Sequence, residues 1–112
     1  MSFTDDVFIA GIGQTSLGEL WDQSLRELSV QALSAAIQDA QGLMPQALYV
    51  ANMLGASASR QANLGALICD QIGLAGQAEA LTVETAEASG GVALQLAANA
   101  IRAGSADVVA VL

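Results

Sequence analysis

The chain has no histidine and a single cysteine among its 112 residues. Without an imidazole, neither a serine nor a thiol has its usual general base, and a Cys/His zinc site is unavailable. Chemistry must therefore come from carboxylates, hydroxyls or backbone. One stretch places such groups suggestively: Val83-Glu84-Thr85-Ala86-Glu87-Ala88-Ser89-Gly90-Gly91. A β-branched run leads into small residues and then into a helical pattern, so a strand is expected to bend sharply into a helix N-terminus. Such an elbow presents one side chain to the positive end of the helix dipole, where negative charge is favoured. The residue presented is Glu87, with Glu84 three positions upstream in the strand. In the Gly-x-Ser-x-Gly elbow of hydrolases that residue is a serine. Here Ser89 has no histidine to activate it, so a serine hydrolase is excluded.

Other conspicuous residues have plainer readings. Cys69 lies between Ile68 and Asp70 on or beside an apolar helical face and is expected to be a buried structural thiol. Gly11-Ile12-Gly13-Gln14-Thr15-Ser16 opens like a dinucleotide fingerprint, but the third glycine is absent and the next helical pattern begins only near Ser24. A tight turn using glycine's dihedral freedom is the expected role. Trp21 is expected to anchor the start of the first helix by packing, and Asp22 and Arg60 to be solvated.

The elements that would position the elbow alternate along the chain. Val7–Ile12 reads as a buried first strand. A helix follows from Ser24, whose Ser24-Leu25-Arg26-Glu27 start fits a capping box and whose end is marked by Gly42. Ala47–Ala51 reads as a strand, 55–59 as a loop of small residues, and Ala62–Ile72 as a second helix stopped by Gly73. Ala80–Thr85 is the strand before the elbow. The helix from Val92 to Ala103 is apolar almost all round and is expected to be buried. Val108–Leu112 is a final strand. This order predicts an α/β fold with a mainly parallel sheet, one domain or less across residues 1–112.

Composition narrows the partners. Net charge is -8, and the only cations are Arg26, Arg60 and Arg102, so no basic face exists for a phosphate backbone and nucleic acid is excluded. The acidic start and the lack of an apolar run of about 18 residues give no expectation of a signal peptide or membrane span. A lone cysteine fits a reducing, cytoplasmic setting.

The region from the elbow to the last strand resembles the thiolase superfamily. Glu84-Thr85-Ala86-Glu87-Ala88-Ser89-Gly90 is similar to that family's nucleophile region, Glu-x-x-Cys-Ala-Ser-Gly, and Ile101-Arg102-Ala103-Gly104-Ser105-Ala106-Asp107-Val108-Val109 resembles the family's segment after the next helix. The opening Val7-Phe8-Ile9-Ala10-Gly11-Ile12-Gly13-Gln14-Thr15 is similar to the family's first strand. The resemblance covers essentially the whole chain and implies a thiolase-like fold, of which this is a partial N-terminal half. It also implies acyl transfer from a coenzyme A thioester, as substrate rather than bound cofactor, with Glu87 at the position of the nucleophilic cysteine.

Two departures shape what the resemblance can mean. A carboxylate is a poor acyl acceptor and would give a labile mixed anhydride. The family's later His and Cys motifs have no counterpart here. Glu87 is then either a disabling or engineered substitution, or a carboxylate that holds the pocket in an acylated-like shape or serves as acid or base on a coenzyme A ester. The chain is accordingly expected to be inactive alone, or to be a non-catalytic module that dimerises or supports an active partner. Its apolar last strand is expected to be covered by further chain or a partner subunit, and the strand before the elbow to lie near a subunit interface.

Overall fold

The computed structural model describes residues 6–112. Two of the expected segments need revision, and both lie before the second expected helix. Val7–Ile12 forms no strand: residues 6–20 lack regular structure, and Phe8, Ile9 and Ile12 are exposed. An apolar run reports that a segment suits burial, but a strand also needs a neighbour for its backbone, and this segment lies against a helix. A Cβ on Gly11 would fall 2.5 Å from the Ala36 carbonyl oxygen, and one on Gly13 would collide with the backbone at Ala32 and Ala36. Neither glycine has a positive φ. Their role is therefore close backbone approach to the helix, not the left-handed turn expected of them. The Ile12 amide donates to Asp39 Oδ2 at 2.9 Å, fixing the segment to the end of that helix.

The helix is α1, Leu25–Asp39. Its start is the capping box expected from the sequence: the Ser24 hydroxyl accepts from the Glu27 amide at 3.1 Å, and Glu27 Oε2 accepts from the Ser24 amide at 2.7 Å. The bond from the Ser24 amide, and then one from the Ser24 hydroxyl to Glu27 Oε2 at 2.9 Å, hold the Glu27 carboxyl below its ordinary pKa. The chain leaves α1 through Gln41 and Gly42, both left-handed, and the Gly42 amide bonds to the Ile37 carbonyl at 2.8 Å. Trp21 does not anchor this helix: it is 87% exposed, and its indole N–H reaches only Glu19 at 3.4 Å.

Strand β1, Ala47–Ala51, follows. The stretch 55–59, expected as a loop, contains a short helix, α2, over Gly55–Ala58. The Asn52 side chain accepts from the Leu54 amide at 2.9 Å and turns the chain into it. Helix α3 spans Leu64–Gln71, β2 Glu79–Val83, α4 Ser89–Arg102 and β3 Val109–Val111.

The sheet is parallel throughout in the order β2-β1-β3, as the strand–helix alternation requires. Ala47 pairs with Glu79 on one side and Val109 on the other, and Tyr49 with Leu81 and Val111. Strand alternation then divides the interior into two layers. Leu48 and Val50 face α1 and α3 with Leu33, Leu64, Ile68, Cys69 and Leu74. Ala47 and Tyr49 face α4 with Val83, Ala93, Ala97 and Ala106. The α4 side is less enclosed than its sequence suggests, because Leu94 and Leu96 are exposed and only one face of the helix meets the sheet.

Candidate active site: the elbow between β2 and α4

Strand β2 is held from below before the chain reaches the elbow. The Thr82 hydroxyl accepts from the Gly65 amide at 2.9 Å, tying β2 to the first turn of α3. Val83 is buried in the α4 layer, and its carbonyl accepts from the Asn52 amide at 3.3 Å. Beyond it the chain turns within five residues.

Ala86 makes the turn with φ +53°, a left-handed conformation that costs a residue with a Cβ roughly 1–2 kcal/mol. Four hydrogen bonds support it. The Thr85 amide donates to Ser89 Oγ at 2.9 Å, and that hydroxyl donates onward to the Ala86 carbonyl at 2.6 Å. The Glu84 carboxylate accepts from the Ala86 amide at 2.6 Å. The Ser89 amide closes the turn onto the Ala86 carbonyl at 3.2 Å. Ser89 is buried, whereas Glu84, Thr85, Ala86 and Glu87 are exposed.

Glu87 comes immediately before Ala88, the N-cap of α4, and Ala88 supplies no side-chain cap. The helix begins at Ser89, three residues earlier than the apolar pattern from Val92 suggests, because the elbow itself forms its first turn. Glu87 thus stands one residue before the N-cap of a 14-residue helix. The strand and the bend therefore occur where the sequence places them.

The remaining sequence candidates do not join Glu87. Cys69 is buried on α3 in the other layer, its thiol 3.9 Å from the Ala78 carbonyl oxygen, with the sheet between it and α4. Gly11 and Gly13 lie against α1 between Ala32 and Ala40, and the next helix begins only at Leu25, so the strand–turn–helix arrangement of a dinucleotide fingerprint is absent. Asp22 and Arg60 are exposed, as solvated positions should be. Among the described residues no cluster of three or more His, Cys, Asp or Glu side chains could hold a metal ion, and no helix is long and apolar enough to cross a membrane. An apolar cleft of about 200 Å³, lined by Leu25, Leu28, Val50 and Leu64 among others, opens on the α1 side and contains no elbow residue.

Sequence reasoning passes over the wiring of the bend. It treats Ser89 only as a nucleophile, yet the hydroxyl serves the backbone of Thr85 and Ala86. A serine four residues after the end of a β-branched run, inside a turn that lacks glycine, is the signal that could have shown it.

Comparison with known proteins shows the family. Residues 7–112 match the family model described as Thiolase, N-terminal domain. The chain is 40% identical over 106 residues to the acetyl-CoA acetyltransferase of Methanothermobacter thermautotrophicus, which covers 93% of this chain and 27% of that protein. It is 39% identical over 108 residues to the acetyl-CoA acetyltransferase of Methanocaldococcus jannaschii, covering 95% of this chain and 27% of the relative. Benzoylsuccinyl-CoA thiolase subunit BbsB of Thauera aromatica is 31% identical over 111 residues, again 27% of its length. The chain thus spans about a quarter of each of these relatives. With the elbow, the parallel sheet and the family match over residues 7–112 together, the chain belongs to the thiolase family and corresponds to part of its N-terminal domain.

Proposed function

We propose that this chain is the elbow-bearing segment of a thiolase-type acyltransferase acting on acyl-coenzyme A, acetyl-CoA being the substrate class its relatives' names suggest, and that Glu87 stands where the nucleophilic cysteine belongs. The observation carrying this reading is the bend: left-handed Ala86, buried Ser89 across it, and side chain 87 delivered one residue before the N-cap of α4. A thiolate at a helix N-terminus is favoured by the field of the helix dipole. With glutamate in place the thioester step has no stable product, so the segment as it stands does not sustain thiolysis. We place the parent protein in the cytoplasm and in acyl-CoA or lipid metabolism.

The test is Glu87→Cys in the full protein that carries this segment. After incubation with acetyl-CoA, intact mass should rise by one acetyl group, mapped to position 87, while the unsubstituted protein stays unmodified. A folded Glu87→Cys protein that never acquires the acetyl group would remove the elbow from the acyl-transfer role.

A second reading draws on the sheet's edge. Strand β2 is an outer strand, and Leu81 on it is exposed. An unpaired strand edge with apolar side chains suits association with another chain. In this reading the segment is a non-catalytic thiolase-like module that dimerises or supports an active subunit. Sedimentation velocity separates the two: a full protein that stays monomeric at high concentration argues against the module.

A further inference from the structure

Ser89 has a position that catalysis alone would not require. It is 5% exposed, it opens α4, and its single hydroxyl spans the bend by accepting from the Thr85 amide at 2.9 Å and donating to the Ala86 carbonyl at 2.6 Å. A serine this close to a helix start ordinarily spends its oxygen capping amides of the first turn. Here no side chain caps α4, and the hydroxyl is turned back towards the strand. Both groups it satisfies flank or belong to Ala86, whose left-handed backbone would otherwise relax.

We propose that Ser89 is the positioning residue of the elbow: its hydroxyl locks the left-handed turn at Ala86 and so fixes the direction in which side chain 87 meets the mouth of α4. The role belongs to the hydroxyl, since a methyl group would leave the Thr85 amide without its partner and the Ala86 carbonyl with the longer Ser89 amide bond alone, at the strained residue of the elbow. Ser89 touches no substrate in this scheme. Any nucleophile or carboxylate at position 87 inherits its orientation and its exposure to the helix dipole from the bond pair that Ser89 makes.

The inference rests on the elbow reading above, but its readout requires no acyl-CoA. In the full protein carrying Glu87→Cys, the rate of alkylation by iodoacetamide is followed against pH, with Ser89 intact and with Ser89→Ala or Ser89→Thr added. Loss of the hydroxyl should lower the alkylation rate at neutral pH roughly threefold to tenfold and move the titration midpoint upward, because the thiol no longer sits squarely at the helix mouth. Ser89→Thr, which keeps the hydroxyl, should stay within about twofold of the parent. Superimposable profiles for the parent and a folded Ser89→Ala, or equal losses for Ala and Thr, would overturn the proposal.

If Ser89→Ala does not fold, hydrogen–deuterium exchange on the unsubstituted protein decides. Thr85 is exposed, yet its amide should exchange slowly because Ser89 holds it; exchange at the rate of a free amide would overturn the proposal. Failure of acetylation at position 87 with a shifted alkylation profile would instead defeat the acyl-transfer reading and leave the positioning role standing.

Discussion

The two faces of the sheet are built from different material. Towards α1 and α3 the buried side chains are large and branched: Leu33, Leu48, Val50, Leu64, Ile68 and Leu74, with Cys69 among them. Towards α4 they are mainly alanines, at 47, 93, 97 and 106, with Tyr49 and Val83 supplying the bulk. Large side chains remove more apolar surface from water and hold the fold together. Small ones let a helix backbone settle close to the strands, which matters on the face where the elbow must be placed. Stability and placement are thus assigned to opposite sides of one three-stranded sheet.

Substitutions can break that division. The largest stability loss should come from the α1 side. Leu48→Ala or Ile68→Ala, at positions fully shielded from water, should cost about 2–5 kcal/mol in urea denaturation while leaving Thr85 amide exchange in the surviving native state unchanged. Ala93→Leu on the α4 side should cost less, about 1–3 kcal/mol from overpacking, yet accelerate Thr85 exchange because α4 is pushed off the sheet. If Leu48→Ala disturbs the elbow more than Ala93→Leu does, the division is wrong.

Smaller effects sharpen the comparison. Ser24→Ala removes the cap of α1 and should lower stability by about 1 kcal/mol, read as a drop in Tm. The same cap should loosen in acid. Because the Glu27 carboxyl is held below its ordinary pKa, its contribution is present above that ordinary value and is lost as pH falls through the lowered one. On the α4 side the sign reverses. Burial, then the charge and hydrogen bond of Glu79 at 3.3 Å, raise the Tyr49 phenol above its usual value of 10.0. Its contribution is complete below that value and is lost as pH climbs through the raised one. Tyr49→Phe should cost about 0.5–1.5 kcal/mol at neutral pH and flatten the alkaline limb of a pH–stability curve.

Much of this arrangement could be read before any coordinates. The capping box at Ser24, strands β1 to β3 and the bend at Glu87 follow from local patterns, because each is dictated by residues within a few positions of one another. The errors share a cause in longer-range packing. Val7–Ile12 has the composition of a strand but lies on α1, and nothing local reveals which neighbour a segment will meet. Trp21 has the bulk of an anchor and no surface to anchor to among the described residues. The apolar circumference of α4 predicted full burial, whereas this chain covers one side only. Ser89 was hidden for a different reason: a serine's local bonds depend on the backbone angle of Ala86, which composition does not reveal.

The central place of β1 has a consequence during synthesis. Its second neighbour arrives late, as the Asp107 amide bonding to the Gln46 side chain across 61 residues illustrates. A ribosome adding about 5–20 residues per second leaves β1 with one side unzipped for several seconds after it emerges. Throughout that interval the β3 edge of β1, and Ala47 and Tyr49 on the face that α4 later covers, lack the cover they have in the finished fold. A nascent chain of this design offers a chaperone its clearest foothold there, and slowing translation between β2 and β3 should lengthen that engagement.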